Sequence, residues 1–176
     1  MPVTLILGGA RSGKSRYGES LALALCEQPV YIATAPVIEG DAEWQARIEH
    51  HRNKRSDRWQ LVEEELALTG VLQKHGRRER VVLVDCLTLW LSNLMFAGKH
   101  IDSEIAALCE CLPQLAGDVI LVSNEVGMGL VPETAEGRVF RDAQGRLNQQ
   151  IAALADHVAF VAAGLPLCLK GDKNVC

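Results

Sequence analysis

A chain of 176 residues with 48% hydrophobic side chains is long enough to bury one core without disulfide or metal staples, and it reads as a single domain over 1–176. Its 18 Lys and Arg against 22 Asp and Glu give a formal charge of -4, which speaks against nucleic acid or an anionic membrane as the principal partner. No stretch approaches the roughly 20 apolar residues that cross a bilayer, and the six cysteines contain no Cys-x-x-Cys pair, so they read as reduced thiols of a cytoplasmic protein.

The first apolar run, Val3–Leu7, is too short and too poorly flanked for a signal peptide and reads as a strand. It leads into Gly8-Gly9-Ala10-Arg11-Ser12-Gly13-Lys14-Ser15, after which helical spacing runs over Ser15–Leu25. The eight residues satisfy Gly-x-x-x-x-Gly-Lys-Ser, and strand before and helix after are the context that this pattern requires. Glycines let backbone N–H groups close on phosphate oxygens, and a helix start supplies orphan N–H groups and a dipole that favour an anion. In such a loop Lys14 bridges the β- and γ-phosphates of ATP or GTP, and Ser15 faces Mg²⁺.

Further strands are expected at Pro29–Ala33, Val81–Asp85, Val119–Ser123 and His157–Ala162. Further helices are expected at Glu43–Asn53, Glu63–Lys74, Leu87–Met95, Ser103–Leu115 and Arg138–Ala155. Short β-branched runs alternating with helices predict an α/β fold of the P-loop type, a mostly parallel sheet with helices on both faces. Leu165–Lys170, after Gly164, is expected to fold back as an antiparallel edge strand. Val81–Asp85 carries a carboxylate to the C-terminal end of its strand, the place where Mg²⁺ or its water shell sits in such sheets.

Arg47-Ile48-Glu49-His50-His51-Arg52-Asn53-Lys54-Arg55 gathers cations and two histidines in an otherwise acidic chain. On a helix Trp44, Ile48 and His51 fall on one stripe, so His51 faces inward and His50 points elsewhere. Adjacent histidines diverge by about 100°, which makes the pair a poor metal site. Two readings remain from spacing: a solvated basic helix end with one half-buried histidine, or an imidazole nucleophile flanked by Arg52, Lys54 and Arg55. Ser123-Asn124-Glu125-Val126-Gly127-Met128-Gly129 leaves the end of a strand, where α/β sheets place their sites, and Glu125 is either a base or metal contact or part of a tight connection.

Taken in order, these motifs resemble one family, the bifunctional adenosylcobinamide kinase and adenosylcobinamide-phosphate guanylyltransferase of cobalamin biosynthesis. The resemblance runs from Leu7–Arg16 through Tyr31–Ala35, Arg47–Arg52 with Trp59 and Glu63, Asp85–Thr88, Ser92–Leu94 and Ser123–Gly129 to Phe140–Gln149. It implies phosphorylation of the aminopropanol hydroxyl of adenosylcobinamide with ATP or GTP. It further implies transfer of GMP from GTP through a guanylyl-histidine, here His51, to give adenosylcobinamide-GDP. It places nucleotide contacts at Gly9, Ala10, Arg11, Ser12, Gly13, Lys14, Ser15 and Arg16, at Thr34, Ala35 and Pro36, at Arg52, Asn53, Lys54 and Arg55, and at Glu63 and Asp85. Ser15 and Asp85 would hold Mg²⁺ with the nucleotide, and the protein would be a homotrimer. Ser56 stands where members often have proline, and Lys54 where arginine is usual.

Overall fold

A computed structural model describes residues 2–36 and 57–172. Strand β1 (Val3–Gly8) runs through a tight loop into α1 (Lys14–Leu25), followed by β2 (Val30–Ala33), β3 (Gln60–Glu63), α2 (Leu68–His75) and β4 (Val81–Asp85). Helices α3 (Leu87–Phe96) and α4 (Ile101–Cys111) then lead by a 3-10 turn (Leu112–Gln114) to β5 (Asp118–Asn124), α5 (Ala135–Leu154), β6 (His157–Ala162) and β7 (Leu165–Lys170). The strands make one sheet in the order β3-β2-β4-β5-β1-β6-β7. Every neighbouring pair is parallel except β6 with β7, which is antiparallel.

Alternation along the strands sorts side chains to two faces. Val3, Leu5, Val82, Val84, Val119 and Leu121 face the core shared with α2, α3, α4 and α5. Ile6, Tyr31, Val81, Leu83, Ile120 and Val122 face the smaller core that includes Ala22 of α1. Gly18 lets α1 lie close to that face, because a Cβ there would stand 3.2 Å from Leu83 Cδ1 and 3.3 Å from Ile6 Cδ1 and Val122 Cγ2. The α1 face of the central strand tips is therefore where the loop after β1 and the end of β4 meet.

Several boundaries differ from expectation, each for a local reason. Gln60–Glu63 is a strand at the sheet edge, so Glu63 ends a strand instead of opening a helix. The Glu64 carboxylate then accepts from Leu66 N at 2.9 Å and Ala67 N at 2.8 Å, and the helix starts only at Leu68. The helix expected over Ser103–Leu115 begins at Ile101 and gives way to the 3-10 turn at Pro113, which has no N–H to continue it. Helix α5 starts at Ala135 because Thr134 caps it, its hydroxyl accepting from Gly137 N at 3.0 Å. The helix expected over Glu43–Asn53 lies outside the described residues. Of the cysteines, Cys86 and Cys111 are buried and free, while Cys26, Cys109 and Cys168 are free and only partly covered.

Candidate active site

The loop after β1 is shaped by two left-handed residues, Arg11 at φ 56° and Gly13 at φ 98°. Alternation of left- and right-handed backbone turns successive N–H groups into one concavity, an arrangement that suits an anion. Helix α1 starts there with neither a side-chain cap nor an acidic residue in its first turn, so its orphan N–H groups are left for a ligand. The Lys14 side chain, 9% exposed, folds back across the loop and its Nζ donates to Gly9 O at 3.1 Å. The loop is buttressed from the far edge of the sheet, where Gly164 N in the turn between β6 and β7 donates to Ser12 O at 2.8 Å.

Asp85 ends β4 on the same face as Val81 and Leu83, the α1 face. Tyr31 of β2 donates its hydroxyl to Asp85 Oδ2 at 2.7 Å. The backbone beyond Asp85 is clamped by Thr34, whose Oγ1 donates to Cys86 O at 2.7 Å and accepts from Cys86 N at 2.8 Å across a cis Asp85–Cys86 peptide. Burial, reinforced by the neighbouring Asp85 carboxylate, pushes the Cys86 thiol up to about 11, so it stays neutral at physiological pH. Asn93 of α3 holds the other side of this corner, donating to Thr34 O at 2.8 Å and Glu65 O at 3.1 Å.

At the end of β5 a buried polar network ties the strand to α5. Ser123 Oγ donates to Asn148 Oδ1 at 2.6 Å and accepts from Gln144 Nε2 at 2.9 Å, and Asn148 Nδ2 reaches Asn124 O at 3.1 Å. Thr88, for which the sequence offers no role, accepts from Asn124 N at 2.8 Å, and Glu125 N donates to Gly8 O at 3.1 Å. These bonds set where the glycine-rich segment leaves the sheet. Beyond them Met128, Leu130 and Val131 are 80%, 96% and 62% exposed.

The structure thus gathers Gly9 to Arg16 and Asp85 at one end of the sheet. Thr34 to Pro36 leave β2 at that same end, and Glu63 pairs with Ala33 beside them. Thr34 itself is fully buried, with its hydroxyl committed to Cys86 and its carbonyl to Asn93. His51 and Arg52 to Arg55 lie outside the described residues. Reasoning from the sequence missed Tyr31 and the Ser123–Gln144–Asn148 network, whose partners stand 54 and about 25 positions apart in the chain.

Comparison with known proteins accords with this geometry. The family model described as cobinamide kinase / cobinamide phosphate guanyltransferase matches residues 4–169. The chain belongs to that family. It is 48% identical over 170 residues to the bifunctional adenosylcobalamin biosynthesis protein CobP of Pseudomonas aeruginosa, covering 96% of this chain and 97% of the relative. It is 39% identical to the bifunctional adenosylcobalamin biosynthesis protein CobU of Escherichia coli K12, covering 94% and 98%. Among solved structures it resembles an ATPase of a type III secretion system, with a TM-score of 0.56 at 10% identity over 99% of this chain and 60% of that one. The RadB recombinase gives 0.50 at 14% identity over 90% and 73%. At such identities these two likenesses speak for the fold alone, a P-loop sheet.

Proposed function

We infer that this protein is the bifunctional cobinamide kinase and cobinamide-phosphate guanylyltransferase of cobalamin biosynthesis. The observation that carries the reading is the uncapped start of α1 behind a left-handed phosphate loop, with Asp85 on the same sheet face, in a chain of this family. In the kinase step the substrate alcohol oxygen attacks the γ-phosphorus of ATP or GTP, the bond from that phosphorus to the β–γ bridging oxygen breaks, ADP or GDP leaves, and the hydroxyl proton is lost to solvent. The loop N–H groups and Lys14 hold the phosphates and offset the charge that accumulates on them. Ser15 at the start of α1 and Asp85 at the end of β4 offer a hydroxyl and a carboxylate, the hard oxygen donors that Mg²⁺ takes. Bound with the nucleotide, Mg²⁺ would neutralise phosphate charge.

In the transferase step the neutral imidazole of His51 attacks the α-phosphorus of GTP, forming an N–P bond and releasing pyrophosphate. The phosphate of adenosylcobinamide phosphate then attacks the same phosphorus, freeing the imidazole and forming adenosylcobinamide-GDP. This role rests on the resemblance and on the spacing of Trp44, Ile48 and His51 in the sequence. Arg52, Asn53, Lys54, Arg55, Ala35, Pro36 and Glu63 complete the nucleotide contacts. The exposed apolar residues Met128, Leu130 and Val131 after β5, and Val139 of α5, are the candidates for contact with the large corrinoid. The resemblance adds a homotrimer working in the cytoplasm. The exposed Leu165, Leu167 and Leu169 on edge strand β7 are compatible with self-association, which sedimentation velocity reads directly.

The test is incubation with α-labelled GTP and Mg²⁺, comparing wild type with His51→Ala and His50→Ala. Acid-labile, alkali-stable label with one pyrophosphate released per site is expected in wild type and His50→Ala and absent in His51→Ala. Wild type without label would refute the covalent step and leave a kinase alone.

A further inference from the structure

Asp85 ends β4 on a backbone that is fixed by Thr34. Thr34 N donates to Asp85 O at 3.3 Å, and the Thr34 hydroxyl engages both polar atoms of the next residue's backbone. What this clamp leaves undetermined is the carboxylate itself, which turns about two single bonds. Tyr31 determines it. Its ring is 1% exposed, packed on the α1 face and set edge-on to Trp59 with centroids 5.5 Å apart at 85°, and its hydroxyl donates to Oδ2 at 2.7 Å. With one oxygen held by a rigid, buried donor, the direction of the other is set as well. A buried tyrosine hydroxyl needs some partner in any protein, so satisfaction of the ring's own polar end would account for the bond alone. The register argues for more: β2 pairs with β4 so that Ala33, not Tyr31, lies opposite Asp85. The hydroxyl therefore reaches along the sheet toward its C-terminal edge to meet the carboxylate that ends β4.

We propose that Tyr31 is a positioning residue for the divalent cation of the phosphoryl-transfer site, acting by orienting the Asp85 carboxylate. It touches neither nucleotide nor metal. It plays the part that hydrogen-bonded outer partners play around metal ligands, where their loss typically weakens metal affinity 10- to 100-fold. The proposal rests on the reading of Asp85 given above, and the experiment separates the two.

Wild type, Tyr31→Phe and Asp85→Asn are compared for Mn²⁺ affinity at saturating guanosine 5′-(β,γ-imido)triphosphate. Free Mn²⁺ is read by electron paramagnetic resonance, and metal-free binding of the same nucleotide is measured in EDTA. Phenylalanine keeps the ring and its contact with Trp59, so Tyr31→Phe is expected to bind Mn²⁺ roughly tenfold more weakly with unaltered nucleotide affinity in EDTA. Asp85→Asn is expected to weaken Mn²⁺ at least as much. Wild-type Mn²⁺ affinity in Tyr31→Phe beside weakened Asp85→Asn would overturn the role of Tyr31 and leave Asp85 standing. Wild-type affinity in Asp85→Asn would overturn both. Loss of metal-free nucleotide binding in Tyr31→Phe would assign the tyrosine to the architecture of the pocket and so reject the positioning role.

Discussion

A methyl group at Gly8 would stand 2.5 Å from the Val161 carbonyl oxygen on the neighbouring strand, whereas one at Gly9 would meet no atom within 4 Å. Both residues belong to the same phosphate-loop pattern, but they are glycines for different reasons: Gly8 because two strands approach there, Gly9 to leave room for a ligand. Gly8→Ala should therefore cost about 1–3 kcal/mol of folding stability, the usual penalty for forcing atoms into a packed site. Gly9→Ala should fold and melt like wild type and lose affinity for GTP, because only the bound phosphates would meet the new methyl. Thermal melts with and without nucleotide check both. A normal melt for Gly8→Ala would show that β1 and β6 can separate at their tips without loss.

The turn joining β6 to β7 has Ala163 at φ 52° and Gly164 at φ 81°, the double left-handed pattern of a two-residue hairpin. Because Gly164 N donates to Ser12 O, this edge hairpin also supports the phosphate loop. Gly164→Ala must hold an L side chain in that conformation, at a cost of roughly 1–2 kcal/mol, and should lower the melting temperature and raise the KM for GTP together. Ala163→Gly, which relieves the same conformation, should do neither, and steady-state kinetics with thermal melts on the two variants tests the pairing. The hairpin itself was legible in the sequence, since Gly164 separates two apolar runs. So were β1, α1 and β4, whose apolar patterns end in chemistry-bearing residues. Strand β3 was not, because Gln60-Leu61-Val62-Glu63 is short, largely exposed and stabilised by pairing with β2 instead of by its own pattern. Tyr31 was invisible as a site residue for a related reason: only the β2–β4 pairing brings it to Asp85.

Across the whole molecule, the proposed nucleotide site draws on segments far apart in the chain: the β1–α1 loop, the ends of β2 and β4, and through Gly164 the C-terminal hairpin. A ligand that binds this assembly binds only the folded state, so it must stabilise the fold by mass action. At a concentration about 100 times its Kd the gain is about 2.7 kcal/mol, and in a chain of this size each kcal/mol moves the midpoint by about 2–4 °C. GTP with Mg²⁺ should thus raise the melting temperature by about 5–11 °C by differential scanning calorimetry. Lys14→Ala removes the cation that lies across the loop and should erase most of that rise at the same nucleotide concentration. The unliganded melt should move much less, since the ammonium's hydrogen bond to Gly9 O lies within the loop, whereas the nucleotide-dependent rise draws on its charge against the phosphates. A full shift surviving in Lys14→Ala would mean that the stabilising nucleotide sits elsewhere, and the phosphate loop would no longer explain the binding.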